Sequence, residues 1–333
     1  MSGAMSRLHK VQDEDANPPQ MLRLLSSILD NVGSRPRGRS LLKRLGVRSL
    51  VKWFLRSAVV DRQREWPDDA TVLIGIRNRT DHRLGLALRS IREQQYPSAL
   101  VRAVVVDYGS EPAAAEHTAA VCHEYDASLV RVETTGVWSR ARCLNIGIRR
   151  IGTKFLLTSD VDIVFSPSYV AEAVQALRES PLSVVCSSML DLPEHTGDAL
   201  RMASASKSSL RLDELKQSSL SRYNWGFHPS IAMTYTAFYR YIRGYDEFYE
   251  LWGSEDDDLF GRLIKLGLER RVLTSHDAFY LHQWHPKYEN IPAEGRAHVV
   301  ARNAERRRRT QTIVRNDASW GAGEARLGEF MRR

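Results

Sequence analysis

The sequence predicts an α/β fold in which helices flank a largely parallel sheet, preceded by a helical extension. Two observations predict this fold: apolar, strand-like segments alternate with helix-like segments, and polar residues follow the ends of the predicted strands. Sheets of this class bind ligands outside the carboxyl ends of their strands, so these polar residues are candidates for a binding site. With 333 residues, of which 43% are hydrophobic and 26% charged, the chain can bury the core of such a domain.

The N-terminal extension, residues 1–67, is predicted to be a polar stretch followed by two helices. Apolar residues recur at helical spacing from Met21, and Gly33 and Pro36 end that helix. A second helical segment covers Ser40 to Val60, where Trp and Phe stand among Lys and Arg. This second helix can lie on an anionic membrane surface or pack its apolar face on the main domain, and the sequence leaves both open.

The first half of the main domain, residues 68–185, is predicted to contain alternating strands and helices. We predict strands at Thr71–Ile76, Val101–Val106, Leu129–Val132, Phe155–Leu157 and Leu182–Cys186, with helices over Leu84–Ile91, Pro112–Tyr125, Gly136–Gly147 and Tyr169–Glu179. Arg77, Asp107 and Asp160 each follow a strand. Because such sheets bind ligands at the carboxyl ends of their strands, these three residues together indicate a binding site there.

Asp160 and Asp162 follow the fourth strand and are candidate metal ligands. In an extended segment, residues i and i+2 share a face, so both carboxylates can address one point. Two carboxylates so close repel each other unless a cation or a proton lies between them, and Mg²⁺ or Mn²⁺ takes oxygen ligands. The alternative is a strand end with two solvated aspartates, so the surroundings of the pair must decide.

The second half of the main domain, residues 186–290, adds an acidic turn and imidazoles. Residues 193–222, rich in Ser, Lys and Arg, are predicted to be an insertion or mobile loop over the site. Glu255–Asp258 are four consecutive acids before an amphipathic helix; helix capping explains one or two of them, whereas four indicate a ligand site. His282 is either structural or supplies a nitrogen to the metal. Residues 291–333 are predicted to be a helical, basic tail.

Composition and charge limit the classes of protein to consider. Three cysteines in apolar surroundings do not make a disulfide framework, so a reducing, cytoplasmic compartment is expected. The sequence has no run of about 18 apolar residues and no signal-peptide pattern, so neither a membrane span nor secretion is expected.

Positive charge concentrates outside the predicted sheet, in a chain of formal net charge +8. Ten basic residues and one acid, Asp61, lie between Arg35 and Arg64, and a second basic run covers Arg306 to Arg309. Such segments attract polyanions, and residues 35–64 are expected to allow peripheral contact with an anionic membrane at its inner face. They are equally compatible with a solvated face and a basic tail. No nucleic-acid motif accompanies them, so no specific nucleic-acid partner is expected.

Six short motifs occur in order between Thr71 and Asn290. They cover residues 105–110, 136–147, 160–162, 243–247, 252–258 and 282–283. Together they resemble the motifs of glycosyltransferase family 2, the inverting nucleotide-sugar glycosyltransferases of the GT-A fold. Within it they resemble the group whose C-terminal half is similar to β-1,4-galactosyltransferases and bacterial chondroitin polymerases. Three positions depart from the pattern: Tyr108 replaces a second aspartate, the segment Arg140–Asn145 is two residues longer, and Ser254 replaces a glycine.

The resemblance implies a GT-A domain that moves a hexose or N-acetylhexosamine from a nucleoside-diphosphate sugar, most simply a UDP-sugar, to a hydroxyl of a glycan or other acceptor, as in polysaccharide biosynthesis. It implies inversion and dependence on Mn²⁺ or Mg²⁺. The implied donor-binding residues are Ile76, Arg77, Asn78, Arg79, Asp107, Arg140, Arg142, Asn145, Asp160 and Val161. The implied metal ligands are Asp162, Asp160 and His282.

The acidic turn supplies the chemistry that the resemblance implies. Asp256 would be the general base that takes the proton from the acceptor hydroxyl, and attack from the face opposite the leaving group gives inversion. Glu255, Trp252 and Asp257 would bind the acceptor. Other interpretations are a retaining transferase, a nucleotidyltransferase, which normally has a Gly-rich loop that is not found after Ile76, and a polyanion-binding scaffold protein.

Overall fold

The computed structural model describes residues 46–221, 227–286, 295–309 and 312–322, together with Ser27. The predicted helix from Met21 and the first part of the predicted helix Ser40–Val60 lie outside the described residues. The rest of the second helix is observed: α1 covers Val47–Leu55 and continues as a π-helical segment over Arg56–Asp61.

The described strands are β1 (Ala70–Ile76), β2 (Val101–Tyr108), β3 (Ser128–Val132), β4 (Phe155–Ser159), β5 (Ile163–Phe165), β6 (Ser183–Cys186), β7 (Met189–Asp191), β8 (Leu220–Ser221), β9 (Ala232–Tyr235), β10 (Glu269–Val272) and β11 (Tyr280–His282). The helices after α1 are α2 (Arg83–Arg92), α3 (Pro112–Glu124), α4 (Arg140–Ile148), α5 (Tyr169–Glu179), α6 (Gly197–Ser206), α7 (Leu212–Ser218), α8 (Thr236–Tyr241), α9 (Glu255–Leu266) and α10 (Arg296–Arg309).

The central sheet has seven strands among the described residues, in the order β10-β6-β9-β4-β1-β2-β3. Six of them run parallel, and β9 runs antiparallel to its neighbours β4 and β6. Strands β1 and β4 are almost wholly buried, as expected for apolar strands covered on both faces. This confirms the predicted α/β class with a mostly parallel sheet flanked by helices. Strands β9 and β10 come from the second half of the main domain, so both predicted halves contribute to one sheet.

A second, four-stranded sheet in the described part of the chain has the order β5-β11-β7-β8. Strand β11 runs antiparallel to β5 and parallel to β7, with His282 opposite Ile163 on one side and Asp191 on the other. This small sheet therefore brings His282, the last residue of β11, close to the residues that follow β4.

Residues 193–222 were predicted to be an insertion or a mobile loop, and the loop prediction is wrong for two stretches, which form the helices α6 and α7. Their apolar periodicity is weak because they lie on the surface: Leu200 is the buried residue of α6, and α7 has none among the side chains described. The loop prediction mistook surface helices for irregular chain.

Helix α1 packs one face on the main domain. Val51 and Leu55 are buried in the main core, next to Gly267 at the C-terminal end of α9. On the neighbouring side of α1, Lys52 forms an ion pair with Glu269 at 2.5 Å. Packing on the main domain, one of the two arrangements left open by the sequence, is therefore observed for this face.

The segment 312–322 packs into the core, although the sequence predicted only a basic tail there. Ile313 and Trp320 are 0% and 1% exposed. Asn316 donates hydrogen bonds to the carbonyl oxygens of Arg243, at 2.7 Å, and Tyr245, at 2.5 Å. Through these hydrogen bonds, segment 312–322 fixes the loop of Arg243 and Tyr245, which precedes the acidic turn.

Candidate active site

The loops that follow β1 and β2 are joined at the carboxyl edge of the sheet. Arg77 donates a hydrogen bond from Nη1 to the carbonyl oxygen of Gly136 at 2.7 Å. The backbone N–H of Asn78 donates to Ser110 Oγ at 2.8 Å, and Asn78 Oδ1 accepts from the N–H of Glu111 at 2.8 Å. The predicted donor-binding segment from Ile76 to Arg79 therefore forms one wall together with the end of β2.

Asp107 ends β2 inside this wall. Its side chain is fully buried, Oδ1 accepts a hydrogen bond from the N–H of Ser110 at 3.1 Å, and Arg131 Nη1 lies 3.5 Å from Oδ2. Among the described residues, Asp107 Oδ2 accepts no hydrogen bond. Gly109 allows the turn, because its φ is +76° and a Cβ there would lie 2.2 Å from the carbonyl oxygen of Thr134. Asp107 Oδ2 can therefore accept a hydrogen bond from a ligand, such as one from the N–H group of a nucleobase.

Arg140 joins the donor side of the site to the acidic turn. It is the first residue of α4, and its Nε donates to Asp160 Oδ1 at 2.6 Å while Nη1 donates to Asp256 Oδ1 at 2.5 Å. The ring of Tyr245 lies under the guanidinium, 5.6 Å from its carbon. One cation therefore links the residue after β4 to the first turn of α9.

Charge and burial in this cluster work against each other. Burial raises the pKa of Asp256 well above its ordinary value, and Glu255 and Asp160 add to the rise, while Arg140 opposes it. The Asp256 side chain remains 20% exposed, so a substrate can reach it. Burial also raises the pKa of the Glu255 carboxyl. For Arg140, burial disfavours the charged form, but Asp160 and Asp256 outweigh it and raise the pKa of the guanidinium. Asp256 is therefore a stronger base than an exposed aspartate.

A group that could hold a metal ion lies beside this cluster. It consists of Asp162, His282 and His285, each of which offers an atom within 4.8 Å of the others. His285 Nε2 lies 3.2 Å from Asp162 Oδ2, and His282 Nε2 lies 3.7 Å from Asp162 Oδ1. Burial would raise the pKa of Asp162, but the two imidazoles lower it below its ordinary value.

The donor set fits a divalent cation. Asp162 Oδ1 is buried and accepts no hydrogen bond from the residues described, so this oxygen has capacity for a ligand. On the far side of the ring, His282 Nδ1 lies 2.9 Å from Asp191 Oδ1, which leaves Nε2 to face Asp162. One carboxylate and two imidazoles suit Mn²⁺ as well as several other first-row metals.

Asp160 is not part of this group, although the sequence predicted that it shares a face with Asp162. The expectation fails because Asp160 to Asp162 form a turn between β4 and β5, and the rule for residues i and i+2 applies to extended chain. Asp160 faces Arg140, whereas Asp162 faces the imidazoles. The role of Asp160 as a metal ligand stays a prediction.

His285 and Asp191 were missed by the sequence analysis. His285 stands three residues after His282, and that pair of imidazoles was the signal that could have found it. For Asp191 the sequence has no signal, because its neighbour His282 comes from a strand much later in the chain.

Asn145 and Arg142 are directed toward the loop after α8. Asn145 is fully buried; its Nδ2 donates to the carbonyl oxygen of Tyr245 and to Glu247 Oε1, both at 2.9 Å, and its Oδ1 accepts from the N–H of Tyr245 at 2.8 Å. Arg142 Nε donates to the carbonyl oxygen of Glu247 at 3.2 Å, and its Nη2 lies 3.5 Å from Glu250. A contact of Asn145 with the donor would therefore compete with these hydrogen bonds. Arg140 is the arginine of this segment that points into the site.

The predicted acceptor residues line a cleft beside Arg140. Trp252 is 51% exposed, Glu255 is buried, and both border a narrow cleft that Arg140 also lines. The turn before α9 is tight: Ser254 has a φ of 75°, in the left-handed region that favours glycine. Asp257 points outward and pairs with Arg307 at 3.0 Å.

Asp258, the fourth acid of the turn, is structural. It pairs with Arg262 at 2.7 Å and with Arg315 at 2.8 Å, and all three side chains are at most 3% exposed. Arg315 also lies 3.2 Å from Asp246, so this buried network joins α9 to the segment 312–322.

The basic run at the end of α10 is largely neutralised by acids of this protein. Arg306 pairs with Asp246 at 2.8 Å and Arg307 with Asp257, while Arg308 and Arg309 both contact Glu305. This run therefore lends little support to a polyanion-binding scaffold. None of the helices that the structure describes has both the length and the apolar content needed to cross a bilayer.

Two family models match the chain. The model described as "Glycosyl transferase family 2" matches residues 71–240, and the model described as "N-terminal domain of galactosyltransferase" matches residues 214–286. The chain matches no curated protein sequence.

Solved structures of S. aureus TarS are similar to this chain. One TarS structure is 18% identical to this chain with a TM-score of 0.46, and the match covers 66% of this chain and 37% of the TarS chain. TarS 1-349 is 18% identical with a TM-score of 0.46, covering 65% of this chain and 60% of its own. TarS 1-349 in complex with UDP-GlcNAc is 16% identical with a TM-score of 0.46, covering 66% and 59%. The chain thus spans between 37% and 60% of the length of these structures.

Proposed function

The chain belongs to glycosyl transferase family 2, and we propose that it transfers a sugar from a nucleoside-diphosphate sugar, with UDP as the nucleotide, to a hydroxyl group of a glycan or other acceptor with inversion. The observation that carries the proposal is the bridge formed by Arg140, which contacts Asp160 at 2.6 Å and Asp256 at 2.5 Å. It sets the candidate base opposite the strand end where donors bind in this class of sheet.

The donor is held at the carboxyl edge of β1, β2 and β4. Asp107 Oδ2 accepts a hydrogen bond from the nucleobase of the donor, and the segment from Ile76 to Arg79 lines the same wall. Arg140 carries the charge that the diphosphate needs. Because phosphate oxygens and carboxylates compete for the same guanidinium, donor binding draws Arg140 away from Asp256 and frees that carboxylate.

The acceptor enters from the side of the acidic turn. Trp252 gives an exposed aromatic plane beside the cleft, and Glu255 offers a carboxyl group to sugar hydroxyls. Asp256 takes the proton of the attacking hydroxyl, and its raised pKa suits this task. With one base on the acceptor side and the leaving diphosphate on the other, direct displacement inverts the anomeric centre.

The transfer is proposed to depend on Mn²⁺ or Mg²⁺. Asp162, His282 and His285 would hold the ion, with Asp160 as a further predicted ligand. When bound, the ion supplies positive charge that stabilises the departing diphosphate. Asn145 acts indirectly in this proposal: its three hydrogen bonds position the loop that carries Tyr245 under Arg140.

The test begins with a panel of nucleotide sugars. A thermal-shift screen with Mn²⁺ identifies the donor, because a ligand that binds the native state stabilises it by mass action. Turnover with that donor and a panel of hydroxyl acceptors is then followed by NMR, which reads the anomeric configuration of the product. An inverted configuration supports the proposal, and a retained one refutes the displacement by a single base. Absence of any stabilisation by nucleoside-diphosphate sugars would refute donor binding.

A further inference from the structure

Helix α1 is apolar on two sides. One side packs on the main domain through Val51 and Leu55. On another side, Leu50 is 50% exposed and Trp53 is 65% exposed. Because residues three apart lie next to each other on a helix, Leu50 and Trp53 form a continuous apolar strip, here called the outer strip. A large exposed tryptophan beside a leucine indicates a surface that contacts something other than water.

Exposed basic residues lie on α1 and directly after it, and Arg56 is three residues from Trp53, next to it on the helix. Arg48 and Arg56 on α1, and Arg62 and Arg64 after it, are all exposed. Asp61 is the single acid between Arg35 and Arg64 in the sequence. An exposed apolar strip with Trp, on a helix that also exposes Arg, is the composition of helices that lie in the headgroup region of an anionic bilayer.

We propose that the outer strip of α1 docks this protein on an anionic lipid surface. The charge of the flanking residues favours lipid over a second copy of the chain, because two copies would bring like charges together. The position of α1 leaves the candidate active site accessible: α1 packs at the C-terminal end of α9, whereas Asp256 lies in its first turn. A helix of 12 residues spans about 18 Å, so docking and catalysis use separate surfaces.

The experiment is flotation of the full chain with lipid vesicles. Vesicles of phosphatidylcholine with about one third phosphatidylglycerol are compared with pure phosphatidylcholine at about 0.1 M and about 0.5 M NaCl. We expect binding to the anionic vesicles only, weakened at the higher salt. The double variant Leu50→Gln and Trp53→Gln should bind at least about tenfold more weakly, because it removes the apolar contact and keeps the charges. The matched control is Met202→Gln, which changes an exposed apolar side chain on α6 and should bind as the parent does.

Two results would overturn the docking proposal. If the double variant binds anionic vesicles as well as the parent does, charge outside the outer strip carries the binding. If the parent binds no vesicles but forms dimers that the double variant abolishes in sedimentation, the strip is a contact between copies. Melting curves check that the double variant is folded. If it is unfolded, the flotation experiment is repeated with the single variant Trp53→Gln.

Asp191 lies next to the candidate metal group, on the side of the His282 ring away from Asp162. Strands β7 and β11 place Asp191 opposite His282, and Asp191 Oδ1 lies 2.9 Å from His282 Nδ1. His282 Nε2 faces Asp162 on the other side of the ring. A carboxylate this close to Nδ1 favours the tautomer that carries the proton on Nδ1 and leaves the lone pair on Nε2.

We infer that Asp191 is a positioning residue that fixes the tautomer and orientation of His282 for metal binding. This inference rests on the proposed metal role of His282. Carboxylates in this outer position typically change metal affinity about 10–100-fold. We expect Asp191→Ala to weaken Mn²⁺ binding by a factor in that range, measured by calorimetry on the free protein without any substrate.

The control and a second measurement separate this inference from the proposed function. His276 and Asp277 form a similar pair on the surface, so Asp277→Ala should leave Mn²⁺ affinity unchanged. Nitrogen NMR of His282 in the metal-free protein should show Nδ1 protonated in the parent and a mixture of tautomers in Asp191→Ala. Affinity within twofold of the parent would overturn the inference. If the parent itself binds no Mn²⁺, the metal proposal fails, and the tautomer measurement still decides whether Asp191 orients the ring.

Discussion

Replacing Asp258 by alanine is expected to destabilise the protein by about 3 kcal/mol. The change leaves two buried arginines, Arg262 and Arg315, without the carboxylate that pairs with both at 2.7 and 2.8 Å. Removal of one partner from a buried ion pair typically costs about 3–5 kcal/mol. The lower end applies here, because Arg315 keeps Asp246 at 3.2 Å and Arg262 keeps carbonyl acceptors such as that of Gly244 at 2.8 Å.

The neighbouring Asp257 is the matched control. It stands in the same helical turn, but its pair with Arg307 is about half exposed on both sides, and such pairs contribute about 0–1 kcal/mol. Both alanine variants lose a similar interaction with the helix dipole, so that contribution cancels in the comparison.

Urea unfolding followed by circular dichroism measures the difference. With a slope of about 3 kcal/mol per molar urea, Asp258→Ala should lower the midpoint by about 1 M and Asp257→Ala by at most about 0.3 M. The gap should persist in about 0.5 M NaCl, because buried pairs are screened little. Equal midpoints for the two variants would refute the reasoning, since they would mean that the buried network contributes no more than a surface pair.

Three predictions address the chemistry. Asp256→Asn should lower kcat about 10²–10⁴-fold while donor affinity by calorimetry stays within about threefold of the parent, because the base acts on the acceptor; unchanged turnover would exclude Asp256 as the base. Asp162→Ala and His285→Ala should each weaken Mn²⁺ binding at least about tenfold, with His276→Ala, an exposed imidazole, as the control; equal affinity would contradict the metal group. The acid limb of kcat/KM should lie above the ordinary aspartate pKa of about 3.9, since burial raises the pKa of Asp256 and only its ionised form accepts a proton. Asp160→Asn, which removes a negative neighbour, should move that limb to lower pH, and a limb already near pH 4 in the parent would contradict the raised pKa.

The sequence predicted the part of the fold that depends on local pattern. Helix α5 begins and ends where its apolar spacing indicates, and the strands β1 to β3 agree within two residues, because each is a continuous apolar run bounded by polar residues. The position of Arg77, Asp107 and Asp160 at the carboxyl edge of the sheet follows from parallel topology, and that too was predicted.

The parts of the site that the sequence could not predict depend on pairing between distant segments. Asp160 and Asp162 separate because β5 pairs with β11 and turns the chain between them. Asp191 meets His282 through the register of β7 and β11, which no local pattern encodes. Asn145 belongs to a motif that resembles a donor-binding motif, yet its side-chain amide forms hydrogen bonds with Tyr245 and Glu247 inside the fold.

The tight packing of residues 312–322 has a practical consequence for anyone who wishes to shorten this chain. The matches to the two family models end at residue 286, yet Arg315, Asn316 and Trp320 pack against the second half of the main domain, where Arg315 pairs with Asp258. A recombinant fragment that ends at residue 286 would leave a cavity where Trp320 packs and would leave Asp246 without Arg306 and Arg315. The unit that must be expressed is therefore longer than the unit that homology outlines.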